Sequence, residues 1–115
     1  VNLRSCFILA SVLVVAPGLS RATNLFTVTD LGTLGGSSSH AASVNASGQV
    51  VGDSLNATGK DRAFAYWHGT MIDLGTLGGD FSSASGINDN GQVVGWSYTA
   101  GNLGHAFLFP SPPVL

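Results

Sequence analysis

Apolar residues fall into two regimes along this chain. Residues 6–16 form an apolar run broken only by Ser11, whereas beyond residue 24 the apolar positions come in short runs rich in Val, Phe, Tyr, Trp and Thr, each closed by Gly, Asn, Asp or Ser. Short β-branched and aromatic runs between turn formers predict strands joined by tight turns. They place strands near residues 40–44, 49–54, 63–67 and 70–74, and again near 83–87, 92–98 and 105–109, with one more at 25–31 ahead of them. In Gln49-Val50-Val51-Gly52 and Gln92-Val93-Val94-Gly95 the adjacent valines point to opposite faces, which predicts strands covered on both sides.

The strands recur because the sequence does. Asp-Leu-Gly-Thr-Leu-Gly-Gly occurs at residues 30–36 and 73–79, and laying residues 30–72 on 73–115 without a gap gives 19 identities in 43 positions. A fixed period of this kind marks units that hide their apolar face against a neighbour. The predicted fold class is all-β: tandem four-stranded antiparallel β-meander repeats resembling β-propeller blades, a partial propeller, with the second unit incomplete. The runner-up is a β-solenoid or open stack of hairpins, disfavoured by polar stretches at residues 55–61 and 99–104 that read as long rim loops.

Retained residues have backbone reasons. Asn45 and Asn88 can accept from a backbone N–H two residues on, and Gly48 and Gly91 sit where a hairpin needs a positive φ. The Leu-Gly-Thr-Leu-Gly-Gly segment, two apolar anchors among three glycines, predicts a tight connection from one sheet to the next. Asp30 and Asp73, at equivalent positions of neighbouring units, are expected to make hydrogen bonds between blades.

Residues 1–22 read as a helical secretory signal peptide. Arg4 is a basic n-region, Pro17-Gly18 ends the apolar run, and Ser20-Arg21-Ala22 supplies small residues for cleavage after Ala22. A membrane span needs about 17–25 residues, more than this run offers. Cys6 stands at the start of the run and not at a lipid-attachment site, and Val1 reads as an alternative bacterial start codon. The expected product, residues 23–115, is secreted or extracellular, with periplasm or cell surface as its place, and has no membrane span after cleavage.

Composition then removes several classes of function. The 93 residues after the cleavage site carry Lys60 and Arg62 against six Asp, a net charge near −4, so the clustered cations that hold nucleic acid are missing. Glu is absent and Cys6 is the single cysteine, so helical repeats and disulfide staples are excluded from the exported part. Asn45-Ala46-Ser47 and Asn56-Ala57-Thr58 match a glycosylation acceptor, which matters only in a eukaryotic route.

Candidate chemistry is sparse. His40, His68 and His105 align with Ser83, Ser111 and Arg62, so no histidine repeats, and the serines at 37–39 read as loop composition more than as a nucleophile's setting. Asn88-Asp89-Asn90-Gly91 lacks the alternating oxygen ligands and closing acid of a calcium loop. The expectation is no catalytic, metal or cofactor-binding residue, hence no enzyme and no cofactor. Binding is more open: Trp96 and Tyr98 replace Asp53 and Leu55, and Trp67 lies beside His68, which makes Trp67, Trp96 and Tyr98 the ligand-binding candidates. Filling gaps between blades is the competing role for these rings.

His105-Ala106-Phe107, its variant Arg62-Ala63-Phe64, the two Asp-Leu-Gly-Thr-Leu-Gly-Gly strings and residues 87–95 together give residues 26–109 a resemblance to the HAF family of extracellular bacterial repeat proteins. The resemblance implies secretion, longer tandem arrays and a propeller-like form, and no catalytic residue or substrate. The pattern departs after Phe109, where three prolines in four positions replace the expected fourth strand. The functional expectation is a secreted non-catalytic repeat protein, structural or surface-interacting, with carbohydrate or protein at the cell surface as partner, or self-association through open blade edges. The alternatives are a fragment of an extracellular propeller enzyme and a truncated gene remnant.

Overall fold

A computed structural model describes residues 25–110; the signal-peptide reading of residues 1–22 and the proline-rich end at 111–115 lie outside them. The chain divides into two units at the Asp30–Leu31 junction. In the first, residues 25–30 take no regular structure, with Leu25, Phe26 and Val28 exposed, so the strand expected at 25–31 does not form.

The second unit carries strands β1 (Gly35–Val44), β2 (Val50–Asn56), β3 (Asp61–Trp67), β4 (Thr70–Asp73), β5 (Gly78–Ile87), β6 (Val93–Thr99) and β7 (Gly104–Phe109). The first four form one antiparallel meander in chain order, and the last three form another. The two sheets do not close into a barrel or ring among the described residues. Each predicted strand from 40 to 109 is present. Strands β2 and β6 run on to Asn56 and Thr99, so the supposed rim loops are tight turns, closed by Asn56 N–H to Lys60 O and by Thr99 N–H to Leu103 O.

Register repeats with the sequence. Ala41 faces Gly52 as Ala84 faces Gly95, and β-bulges fall at the same places in β1 and β5, before Ser39 and Ser82 and after Ala41 and Ala84. The bulges press the His40 and Ser83 carbonyls against the Cα of Gly52 and Gly95, where a Cβ would collide with backbone. Only glycine fits there. Asn45 Oδ1 accepts from Ser47 and Gln49 N–H at 3.1 and 2.9 Å, and Asn88 Oδ1 from Asn90 and Gln92 at 3.0 and 2.9 Å. With Gly48 and Gly91 at φ of 84° and 82°, both hairpins have the turn chemistry their sequence predicts.

The Leu-Gly-Thr-Leu-Gly-Gly segment is the sheet-to-sheet connection, as expected. Two serines hold each copy. Leu77 N–H donates to Ser97 Oγ at 2.8 Å, Ser82 Oγ donates to Gly75 O at 2.6 Å, and the first copy repeats this with Leu34 on Ser54 at 2.9 Å and Ser39 on Gly32 O at 2.7 Å. Asp73 makes no blade-to-blade bond of the predicted kind; its carboxylate accepts from Gly75 N–H at 2.7 Å and shapes the turn locally.

The second sheet packs on the first through β5, which touches β1, β2 and β3. Between them lie Val51, Ala63, Ala65, Ala84 and Val93, with Leu74, Ile87 and Phe107 packed around. Small side chains let the two backbones approach closely, and each buried valine contributes about 1.5–3 kcal/mol. Ser54, Ser82 and Ser97 are buried too, and among the described residues no buried polar side-chain atom lacks a partner. The expectation that paired valines are covered on both faces is met in part in β2, where Val51 is buried and Val50 half-buried, and fails in β6. Val93 is buried, but Val94 is 50% exposed, because its face looks away from the first sheet.

Candidate interaction face

The contact between sheets defines what a covered face looks like. Val51, Asp53 and Leu55 of β2 share one face, and the register sets Ala63 and Ala65 of β3 beside them. Ala63 N–H donates to Ser82 Oγ at 2.8 Å, so that serine both fixes its own connection and receives the neighbouring sheet. Asn45 Nδ2 donates to Asn88 O at 3.0 Å, and Ala46 N–H to Asp89 Oδ1 at 2.9 Å, joining the two hairpin turns. Carboxylates do tie the two sheets together, but they are Asp53, Asp80 and Asp89 in place of Asp73.

Asp53 stands between two sheets. Ser83 Oγ donates to its Oδ1 at 3.1 Å, and His40 Nδ1 lies 3.4 Å from its Oδ2. A serine, an aspartate and a histidine thus meet, but with the carboxylate in the middle: the hydroxyl gives its hydrogen to Asp53 and not to an imidazole nitrogen. In a nucleophilic relay the histidine separates serine from carboxylate. Here the group acts as a tie between the two sheets. A second tie is ionic: Lys60 Nζ lies 2.8 Å from Asp80 Oδ2, and Arg62 Nη1 donates to the Asp80 carbonyl. The Lys60 hydrogen bond and charge, with Arg62 behind, hold the Asp80 carboxyl below the usual aspartate range.

One period later the same face is open. Val94, Trp96 and Tyr98 take the places of Val51, Asp53 and Leu55, and Ala106 and Leu108 those of Ala63 and Ala65. Val94, Trp96 and Leu108 are 50%, 40% and 60% exposed, whereas Val51, Ala63 and Ala65 are buried. Phe81 joins from β5: its ring centroid lies 4.7 Å from that of Trp96 and 5.9 Å from that of Tyr98, and the latter two meet edge-on at 5.3 Å. Gly104 lies beneath the indole, where a Cβ would stand 3.2 Å from Trp96 Cζ3. Leu103, in the β6–β7 turn, adds another exposed apolar side chain. The result is a fixed aromatic cluster on an accessible apolar face.

Of the three predicted ligand-binding residues, the structure brings Trp96 and Tyr98 together and places Trp67 elsewhere. Trp67 ends β3, with its ring centroid 4.1 Å from that of His68. The serines at 39, 54, 82 and 97 were not singled out as structural residues by the sequence, although both pairs are identical across the period. Among the described residues no three His, Cys, Asp or Glu side chains gather as metal ligands, and no helix is long and apolar enough to cross a membrane. No family model, curated protein or solved structure matches this chain.

Proposed function

We propose that this chain is a secreted, non-catalytic repeat module, a structural or surface-interaction element whose two sheets act as propeller-like blades. Its working surface is the outer face of β5–β6–β7. The observation that carries this reading is the contrast between equivalent positions: the face that is buried as Val51, Ala63 and Ala65 in the first sheet is exposed as Val94, Ala106 and Leu108 in the second. Exposed apolar surface with rigid aromatic anchors is the usual composition of a contact site. Rings locked by mutual packing lose little freedom on binding, which favours affinity.

The test is a binding screen with the full chain, using polysaccharides, peptides and the chain itself as probes, read by tryptophan fluorescence and calorimetry and accompanied by turnover assays. Saturable binding that Trp96→Ala weakens at least tenfold, without product formation, supports the module. Turnover of any probe, or binding indifferent to Trp96→Ala and Val94→Arg alike, overturns it. Export is tested separately, by looking for a processed product that begins after Ala22 in the culture medium.

A further inference from the structure

We infer that the occupant of this open face is a second copy of the same chain, docked head to tail by its own β1, so that the contact between copies continues the contact between sheets. The inference rests on the reading of that face as the working surface. Its basis is the period. Within the chain, β5 packs on the first sheet by setting Ser82, Ala84 and Ile87 against Val51, Ala63 and Ala65. The residues of β1 equivalent to that packing row are Ser39, Ala41 and Val44. Ala84 is buried and Ile87 half-buried, but Ala41 is exposed and Val44 is 62% exposed. The chain therefore presents both halves of its internal joint, one on each outer face, and each half is open.

Two polar contacts of the joint are preserved. Ala63 turns its N–H and C=O away from β2, the first to Ser82 Oγ and the second to Leu74 N–H. Ala106 has the same register against Trp96 that Ala63 has against Asp53, so its N–H points to the corresponding side of β7. Ser39 Oγ already donates to Gly32 O, as Ser82 Oγ donates to Gly75 O, which leaves its lone pair directed as Ser82 directs its own. Ser39 of a second copy is thus the matching acceptor for Ala106 N–H. By the same shift of one period Asn88 Nδ2 would donate to the Asn45 carbonyl of that copy, as Asn45 Nδ2 donates to Asn88 O within the chain.

The substitutions across the joint compensate in volume and remove charge. Leu108 is larger than Ala65, while Val44 is smaller than the Ile87 it replaces. Lys60 and Asp80 correspond to Leu103 and Ser37, and Asp53 opposite Ser83 corresponds to Trp96 opposite His40. The joint between copies is therefore more apolar than the joint within the chain, as suits a contact between separate molecules. Because it is heterologous, any open assembly retains one free face of each kind at its two ends, and growth stops only if the rotation closes a ring.

The experiment is analytical ultracentrifugation of the full chain from micromolar to millimolar concentration, with Val94→Arg on one face and Val44→Arg on the other. Both side chains are exposed, so circular dichroism should show each variant folded. The wild type is expected to associate beyond a dimer, each variant to stay monomeric, and an equimolar mixture of the two to form a dimer and nothing larger, since each supplies the intact face the other lacks. A wild-type chain monomeric throughout, single variants that associate like wild type, or a mixture that stays monomeric overturns the inference. If the chain is monomeric while Val94→Arg still abolishes binding to a polysaccharide or peptide, this inference fails and the working-surface reading survives. If Val94→Arg changes no interaction, both fail.

Discussion

At the residue scale, two retained residue types carry the unit, and each supports a prediction. Ser82 is buried, accepts from Ala63 N–H and donates to Gly75 O. Ser82→Ala strands both groups, and a buried unsatisfied group costs about 1–3 kcal/mol. Urea unfolding should show a loss of unfolding free energy of that order, and hydrogen exchange should accelerate at Ala63 first. Gly52 separates two kinds of glycine constraint. Gly52→Ala drives a Cβ into the His40 carbonyl at a bulge, whereas Gly59 has φ of 78° and open space around it. Gly59→Ala should cost about 1–2 kcal/mol from the left-handed backbone alone, and Gly52→Ala should cost more, because backbone on two strands must move. Equal thermal shifts for the two variants would contradict the bulge as the reason for Gly52.

At the element scale, strand order, hairpin chemistry and the connecting segment were legible because each depends on local pattern: Asn45 and Asn88 form the turns that their spacing predicts, and residues 73–79 join the sheets. What local pattern hides is which neighbour covers a strand. Val51 and Val94 are the same residue in the same Gln-Val-Val-Gly string, yet only packing by β5 buries the first. Trp96 and Tyr98 stood out as changes across the period, but Phe81 needed the bulged register of β5 to join them. The strand expected at 25–31 had a fitting composition and no sheet partner to realise it. The Lys60–Asp80 tie is likewise invisible in sequence, and it has a pH signature. Because the Asp80 pKa is depressed in the folded chain, its contribution is present above the ordinary aspartate value of about 3.9 and is lost as pH falls through the lower folded value. Lys60→Ala should therefore lower stability slightly at pH 7 and leave it unchanged once the pH has fallen below the lowered folded value. Because both partners are exposed, the difference should shrink in molar salt.

At the scale of the whole molecule, the two sheets form a stack whose ends are unlike its middle, and Val51 and Val94 report on that difference directly. Val51→Ala removes two buried methyl groups between sheets and should cost about 2 kcal/mol at any protein concentration. Val94→Ala trims a half-exposed side chain, so in dilute solution its effect should stay within about 0.5 kcal/mol. If the outer face of β6 is covered by another copy, association adds to the apparent stability of the folded chain by mass action. The wild-type melting temperature then rises with concentration, and Val94→Ala, which weakens the joint, rises less. At millimolar concentration the two valine substitutions should converge in cost, and at micromolar concentration they should separate. Thermal scans of both variants over that range decide the matter: a Val94→Ala penalty that never changes with concentration means the second sheet faces solvent in every state, and the stack ends where β6 leaves it.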